Sequence, residues 1–464
     1  MTLIKSISGI RGTIGGKTGD NLTPVDIVKF TAAYGTWLKR ETGAKKIVLG
    51  RDGRISGPMV QNLVIGTLQG LGLDVVNIDL STTPTVEVAV IHEKADGGII
   101  LTASHNPKQW NALKLLDAQG EFISGEAGAE VLKLAEKEDF DFVEVEKLGK
   151  VKSNTEYIKK HIELILNLPY IDVEAIKAAN FKIVVDGINS TGGTAIPQLL
   201  SALGVKDIHE LNCEVNGIFQ HNPEPLPENL SGLSNEVKQS KADLGIAVDP
   251  DVDRLCFVCE DGEMFGEEYT IVSIADFVLK QKKGNTVSNL SSSRALKDIT
   301  LKNGGEYFAS AVGEVNVVAM MKAKNAIIGG EGNGGVILPE LHYGRDALVG
   351  IALFLTQLAK FGKSISVLRS KYPNYHLSKN KIQLEEGIDI DAIFELIVKK
   401  YKNYPVNTID GVKIEFDENW VHLRKSNTEP VVRIYSESSS ENTAESIARQ
   451  IMVDIKEFAQ ESVK

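Results

Sequence analysis

Cysteine is scarce in this chain of 464 residues: Cys213, Cys256 and Cys259 are too few, and odd in number, for a disulfide framework, which fits a reducing compartment. Cys256 and Cys259 form a lone CxxC, yet LCFVC is apolar like a buried strand and no second pair completes a zinc site. Long hydrophobic runs are missing too. Nothing approaches the ~18 apolar residues of a membrane span, and MTLIKSISGIRG lacks the apolar stretch of a secretion signal. The expectation is a cytoplasmic protein with no membrane partner. Positive charge is in deficit, with 51 Lys and Arg against 62 Asp and Glu for a net charge of -11, and no basic run is long enough to track a nucleic-acid backbone. Nucleic acid is therefore not an expected partner. A small anionic substrate remains compatible, because a few converged arginines make a cleft locally positive on an acidic protein.

What is present is globular: 42% hydrophobic and 24% charged residues exclude wholesale disorder, and the length suggests about three domains at roughly 150 residues each. Thr23 to Gly43 reads as a helix, with Thr23 as N-cap, Pro24 in the first turn and Gly43 as terminator. There follow a strand KKIVLG (45–50), a loop RDGRISG, a helix over 58–71, a strand LDVVNIDL (73–80), a helix from Pro84 to about Lys94 and a strand GGIIL (97–101). That alternation predicts a mainly parallel sheet. The unit restarts at FKIVVDGINSTGG (181–193), whose KIVVDG echoes KIVLGRDG, and runs through a helix over 194–203 into DLGIAVDPDVDR (243–254). It restarts again after Tyr269, through AIIGGEGNGGVIL (326–338) to a helix near 346–360. Near the C-terminus IEF, WVHLRKSN and VVRIYSES read as antiparallel strands before a helix at 441–459. The predicted fold is α/β: three similar α/β domains with mixed, mainly parallel sheets over 1–151, 152–257 and 258–371, and a smaller α+β domain over 372–464.

In open parallel sheets ligands bind at the carboxyl ends of strands, so the loops there carry the chemistry. LTASHNPKQWNALK (101–114) places Ser104 directly after an apolar strand, with His105 and Lys114 able to move a proton. DPDVDR (249–254) sets Asp249, Asp251 and Asp253 at alternate positions before Arg254, an oxygen-only donor set suited to Mg2+. Arg254 stands where a calcium EF-hand loop needs a glycine, and the apolar strand LCFVC follows where the rest of such a loop would be. GGEGNGGVI (329–337) lets a backbone approach a ligand closely and offers Glu331 and Asn333 to vicinal hydroxyls. RKSNTEPVVR (424–433) concentrates Arg424, Ser426, Asn427, Thr428 and Arg433, a donor density suited to a phosphate dianion. Together the four loops describe phosphoryl transfer on a sugar phosphate. A serine hydrolase built on Ser104 and His105 fits less well, since no G-x-S-x-G elbow is present. A sugar-phosphate binding protein without turnover is the other alternative, against which the intact serine, aspartates and Lys114 speak.

These four motifs in order, TASHNP, DPDVDR, GEGNGG and RKSNTEP, with SGIRG (8–12) ahead of them, resemble the α-D-phosphohexomutase superfamily of phosphoglucomutases, phosphomannomutases and phosphoglucosamine mutases over essentially the whole chain. The resemblance implies four domains around one central cleft, each lending one motif. It implies that Ser104 is a phosphoserine, with Mg2+ held between its phosphate and Asp249, Asp251 and Asp253, and with a hexose 1,6-bisphosphate as activator. Arg254 is then expected at the transferring phosphoryl group. Arg11, Lys114 and His105 become the catalytic candidates, and the general base is open among them. Glu331 and Asn333 would hold sugar hydroxyls, while Arg424, Ser426, Asn427, Thr428 and Arg433 would grip the phosphate that is not reacting. The partners implied are small sugar phosphates, the assembly a monomer or homodimer, and the C-terminal domain is expected to close over the cleft to exclude water.

The chain also departs from the family. Asn111-Ala112 stands where many bacterial members carry NG before the lysine, and Gly335 stands where many end the sugar loop in histidine, a GExSGH pattern. His342, seven residues on, is a candidate substitute. GEGNGG and VGEVN (312–316), with Glu314 facing the sugar, resemble archaeal-type and some bacterial subgroups called either phosphoglucosamine mutase or phosphomannomutase/phosphoglucomutase, and the TEP of RKSNTEP leans towards the glucosamine branch; the expectation is a phosphoglucosamine mutase, with a phosphoglucomutase/phosphomannomutase of relaxed specificity as the alternative.

Overall fold

A computed structural model describes residues 1–6, 9–385, 387–425 and 431–462. Four sheets succeed one another along the chain. In the first, the order is Ile4–Ser6, Gly9–Thr13, Trp110–Leu116, Gly97–Leu101, Lys46–Arg51, Asp74–Leu80, Val151–Ser153, with the last four strands parallel and the first three antiparallel. Its first helix, Pro24–Thr42, starts where Thr23 and Asp26 satisfy each other's backbone N–H groups and stops at Gly43, which adopts the left-handed conformation. The second sheet runs Leu255–Cys259, Leu244–Val248, Lys182–Asp186, Asp207–Leu211, and the third Tyr307–Ser310, Asn285–Asn289, Ala326–Glu331, Gly335–Ile337. Each is parallel except for one antiparallel edge strand. The fourth sheet is wholly antiparallel, His376–Gln383, Val431–Ser438, Trp420–Lys425, Val412–Glu415, Val406–Asn407, under the helices Ile390–Lys400 and Glu441–Ser462.

Two differences from the sequence reading have clear causes. Residues 110–114 are strand rather than loop: Trp110–Leu116 returns antiparallel beside Gly97–Leu101 and is buried on both faces, so no alternation marks it. His376–Gln383 is a polar edge strand, largely exposed, which leaves no apolar pattern to find. The strands Val151–Ser153 and Leu255–Cys259 straddle the divisions expected after 151 and 257 and complete the sheets before them. Cys256 and Cys259 lie in that second, buried strand, as the apolar LCFVC predicts.

Packing separates the domains unequally. One apolar core runs from the second sheet into the third domain, where the Phe257 ring stacks on Phe354 with centroids 3.9 Å apart. The fourth domain keeps its own core around Ile414, Val421, Ile434 and Ile451. It meets the third domain through polar contacts: Lys413 Nζ donates to Leu290 O at 2.8 Å, and Ser291 Oγ lies 2.9 Å from His422 Nδ1. No helix among the described residues is long and apolar enough to cross a membrane.

The Lys413 contact makes a pH prediction. Burial pushes its ammonium down to about 8, against the pull of Glu415 and Glu437. Between that value and the usual one the unfolded chain binds more protons than the folded one, so stability rises as pH increases from about 8 to 10.5. Urea melts across that range should show a gain of order 1–3 kcal/mol that Lys413→Met removes.

Candidate active site

Parallel register brings the key loops together. Arg51 pairs with Leu101, so Asp52 and Thr102 leave the first sheet side by side, and Thr102 Oγ donates to Asp52 Oδ2 at 2.7 Å. Ser104 follows with φ 49°, a left-handed backbone that costs a serine of order 1–2 kcal/mol and needs support. Its N–H donates to Thr102 Oγ at 2.9 Å, and its carbonyl accepts from Arg54. Arg54 is fully buried and spends all its N–H groups here: Nε on Asp52, Nη1 on the carbonyls of Pro107 and Trp110, Nη2 on those of Ser104 and Asn106. Its guanidinium lies 5.2 Å from the Phe219 ring centre. So held, Ser104 Oγ donates to Asp249 Oδ2 at 2.7 Å and lies 3.4 Å from His105 Nδ1.

The aspartate loop is equally constrained. Val252 has φ 64°, unusual for a β-branched residue, which turns the chain so that Asp249, Asp251 and Asp253, all fully buried, bring one carboxylate oxygen each within 4.8 Å of one another. Asp249 Oδ1 accepts the N–H groups of Asp253 and Arg254, each at 3.1 Å. Asp251 Oδ2 accepts from Thr83 Oγ at 2.6 Å and Lys114 Nζ at 2.8 Å, while Asp253 Oδ2 accepts from Arg345 Nη2 at 2.7 Å. Asp251 Oδ1 and Asp253 Oδ1 are buried without a hydrogen-bond partner. Two orphaned carboxylate oxygens facing a third acid, all oxygen donors, fit a hard divalent cation. Burial and the two neighbouring carboxylates hold the Asp249 acid well above its usual range, the response expected of negative charge in surplus.

The cations have distinct settings. Lys114, buried, is held above its usual value by Asp251 and Asp253 despite its desolvation, so it is protonated. Burial, then Arg433 and Arg254, push Arg11 down, and its Nη1 reaches Asn106 Oδ1 at 3.5 Å. His105 is driven down to about 2 by burial, with Arg254 and Arg11 adding, so it is neutral. Arg254 donates to Glu224 Oε1 at 2.8 Å and sits 4.0 Å from both Asp249 and Asp253.

At the sugar loop, Glu331 is the last residue of Ala326–Glu331, and its carboxylate is oriented by Asn289 Nδ2 at 2.8 Å and Arg345 Nη1 at 3.0 Å, with lone pairs to spare. Asn333 caps the hairpin, its Oδ1 accepting from Gly335 N at 3.2 Å. Arg345, absent from the sequence reading, joins three carboxylates: Asp253, Glu331 and Glu314, whose Oε2 it meets at 2.9 Å. A side chain at 335 would overlap Cδ of Arg345, so the glycine that replaces the family histidine makes room for this arginine. Neither Arg54 nor Arg345 lies in a recognisable motif; the only signals were RDGR after a strand and a lone cation before the helix at 346. His342 does not reach the cleft, being buried against Glu87 and Asp346, so it does not replace the missing histidine. A lysine at 345 offers a point charge in place of a fork, so Arg345→Lys should lower kcat/KM about 10–100-fold and weaken Mg2+ response, measured by steady-state rates against Mg2+ concentration.

On the fourth domain, Arg424 pairs with Asp410 Oδ2 at 2.8 Å, and Asp410 in turn accepts from Val312 N at 2.8 Å. Arg433 stands opposite Arg424 on the neighbouring strand and is exposed. Ser426, Asn427 and Thr428 lie outside the described residues.

Residues 3–142, 155–262 and 266–375 match the phosphoglucomutase/phosphomannomutase α/β/α domains I, II and III in turn, and 381–453 the C-terminal domain of the same family. The chain belongs to the phosphoglucomutase/phosphomannomutase family. It is 38% identical to a phosphoglucomutase/phosphomannomutase of Thermococcus kodakarensis, over 93% of this chain and 95% of that protein. It is 33% identical to a phosphoglucosamine/phosphogalactosamine mutase of Sulfurisphaera tokodaii, over 96% and 97% respectively. Among solved structures, a phosphoglucomutase/phosphomannomutase family protein of Burkholderia thailandensis superposes with a TM-score of 0.83 at 26% identity, covering 99% of this chain and 98% of its own. Four domains, three with mixed sheets and a smaller C-terminal one, are the architecture of this phosphohexomutase superfamily.

Proposed function

We propose that Ser104 carries the phosphoryl group of a phosphohexomutase whose preferred substrate is glucosamine phosphate. The enzyme is an intramolecular phosphotransferase of the isomerase class. Its mechanistic reading rests on one observation: a supported serine hydroxyl 2.7 Å from an aspartate that belongs to a buried triad with orphaned oxygens. Asp249, Asp251 and Asp253 would hold Mg2+, which when bound neutralises charge on the transferring phosphoryl group.

Arg254 and Arg11 supply fixed positive charge beside Ser104, and Lys114, protonated between Asp251 and Asp253, donates to a developing alkoxide. His105, neutral and 3.4 Å from Ser104 Oγ, is placed to hydrogen-bond the reacting oxygens but is too weak a base to keep a proton, so the proton of the incoming sugar hydroxyl ends on Ser104 Oγ. In the first half-reaction phosphoserine passes its phosphoryl group to the free hydroxyl of the hexose phosphate. The bisphosphate turns over, and its other phosphate returns to Ser104. Glu331 and Asn333 hold hydroxyls in both orientations, and Arg424, Ser426, Asn427, Thr428 and Arg433 receive whichever phosphate is idle. The polar seam between third and fourth domains suits opening and closing between those steps.

Amino-sugar preference is supported by acid surplus at the sugar loop, where Asp253, Glu314 and Glu331 share one guanidinium. The ammonium at carbon 2 of glucosamine would find that surplus favourable. A relaxed phosphoglucomutase/phosphomannomutase is the second reading, favoured by the 38% identity to the Thermococcus kodakarensis protein of that name. Phosphorus NMR with Mg2+, a trace of sugar 1,6-bisphosphate, and glucosamine, glucose or mannose 1-phosphate in parallel decides between them. Glucosamine 1-phosphate is expected to convert fastest. Faster glucose or mannose conversion overturns the preference and keeps the mechanism; no conversion of any sugar overturns both.

A further inference from the structure

Behind the cleft, where the first three domains meet, a second set of ligand-type side chains is buried. Nε2 of His161, on the helix Tyr157–Leu166, lies 2.9 Å from Oδ2 of Asp346, and Nε2 of His342 lies 3.2 Å from the same oxygen. One ligand atom from each of the three residues falls within 4.8 Å of the others. Their other polar atoms face outer groups. His161 Nδ1 is 3.0 Å from Thr85 Oγ; His342 Nδ1 is 3.1 Å from Glu87 Oε2 but off hydrogen-bond geometry, so His342 Nδ1 and Glu87 Oε2 are both buried without a hydrogen-bond partner. Asp346 Oδ1 caps the helix Ala347–Phe361, accepting from Leu348 N at 2.8 Å and Val349 N at 3.2 Å. The other Asp346 oxygen and the two imidazole Nε2 atoms meet one another through hydrogen bonds that a bound ion would replace, and Thr85 holds the His161 ring from behind as metal-bound histidines are held.

The charge balance asks for a cation. Glu87 and Asp346 bring two carboxylates into a site with no arginine or lysine among the hydrogen bonds and ion pairs of these four residues. A divalent ion would balance both carboxylates at once.

We propose that His161, His342 and Asp346 bind one divalent first-row transition cation, Zn2+ foremost, with Thr85 and Glu87 as outer supports. Two nitrogens and one oxygen select against Mg2+, which the all-oxygen aspartate triad suits, so the two sites differ in chemistry. Tetrahedral zinc, with bonds of about 2.0–2.1 Å, sets its donors roughly 3.3–3.4 Å apart, and the 2.9 and 3.2 Å seen here need only a few tenths of spreading. An open groove of about 710 Å³, lined by Lys94, Glu121, Lys322, Leu341, His342 and Tyr343, reaches the cluster at His342 and gives an entry path from that side. On binding, the Nε2–H bonds of both histidines break and both lone pairs go to the metal; His342 releases its proton to solvent, and His161 becomes the tautomer with its proton on Nδ1, donating to Thr85 Oγ. The ion would link the helix Tyr157–Leu166 to Asp346, the neighbour of Arg345, and so brace the backbone that carries the sugar-loop arginine.

The test is a Co2+ titration of the full-length protein in excess Mg2+, which keeps the aspartate triad filled. One equivalent of Co2+ per chain with the intense visible bands of four-coordination is expected, displaced by Zn2+, lost in both His161→Gln and His342→Gln, and retained in Asp251→Asn. Because the histidine variants could misfold, nitrogen-15 histidine NMR of the unaltered protein is the second measurement. Added Zn2+ should shift the Nε2 signals of His161 and His342 and leave the other six of the eight histidines unmoved. Absence of Co2+ uptake in excess Mg2+, or two Nε2 signals unmoved by Zn2+, overturns the site and leaves a proton-filled ion-pair cluster.

Discussion

Ser104→Ala is expected to lower turnover by about four to six orders of magnitude, the scale of losing a covalent nucleophile. The substitution is mild in every other respect. Alanine tolerates φ 49° about as well as serine does, and the supports of the loop, Thr102 Oγ to the residue-104 N–H and Arg54 to its carbonyl, act on backbone atoms that alanine retains. What goes is the 2.7 Å bond to Asp249 and the 3.4 Å contact with His105 Nδ1. The variant should therefore fold, bind sugar phosphates within a few-fold of the parent, and fail to take phosphate from a hexose 1,6-bisphosphate. Intact mass of the protein after bisphosphate treatment checks this directly: one added phosphoryl group in the parent, none in the variant. Phosphate still appearing on the variant would place the acceptor elsewhere and end the case for Ser104.

Arg54→Met should cost about 3–5 kcal/mol of stability, the scale of breaking a buried ion pair from one side, and disable catalysis with it. Removal strands Asp52 with its charge buried and takes the guanidinium donors from the carbonyls of Ser104, Asn106, Pro107 and Trp110, of which Pro107 keeps the Trp110 N–H. Lysine restores charge but has three donors on a flexible stem, so Arg54→Lys should recover part of the stability and little of the rate. Urea unfolding gives the first quantity. For the second, a fall in kcat larger than the rise in KM is expected, because Arg54 sets the serine loop and is not part of the sugar or phosphate cradle. A variant as stable and as active as the parent would show that the serine loop needs no such clamp.

Much of this was readable from residue order, for a physical reason. Loops at the carboxyl ends of buried strands are short, polar and glycine-rich, so Ser104, the three aspartates and Glu331 announce themselves against apolar neighbours. Capping does the same for Thr23, Asp26 and Gly43. Long-range partners leave no such trace. Arg54 reads as one more surface arginine until register sets Asp52 beside Thr102, and Arg345 as a helix-flanking charge until three strand ends meet around it. Lys114 stands in a motif that reads as loop, because a strand buried on both faces shows no period of two. Sequence distance alone puts His342 near the cleft, whereas packing turns it towards Glu87.

The overlap between position 335 and the Arg345 stem has an implication for how such chains vary. Arg345 cannot swing aside, since its guanidinium is tied to Asp253, Glu314 and Glu331 at once. Positions 335 and 345 therefore form a single two-letter choice. Glycine with arginine is one self-consistent spelling, and a side chain at 335 requires something shorter at 345. Engineering the histidine into this chain by itself would add a collision, and only the paired exchange could test whether the two spellings support the same chemistry.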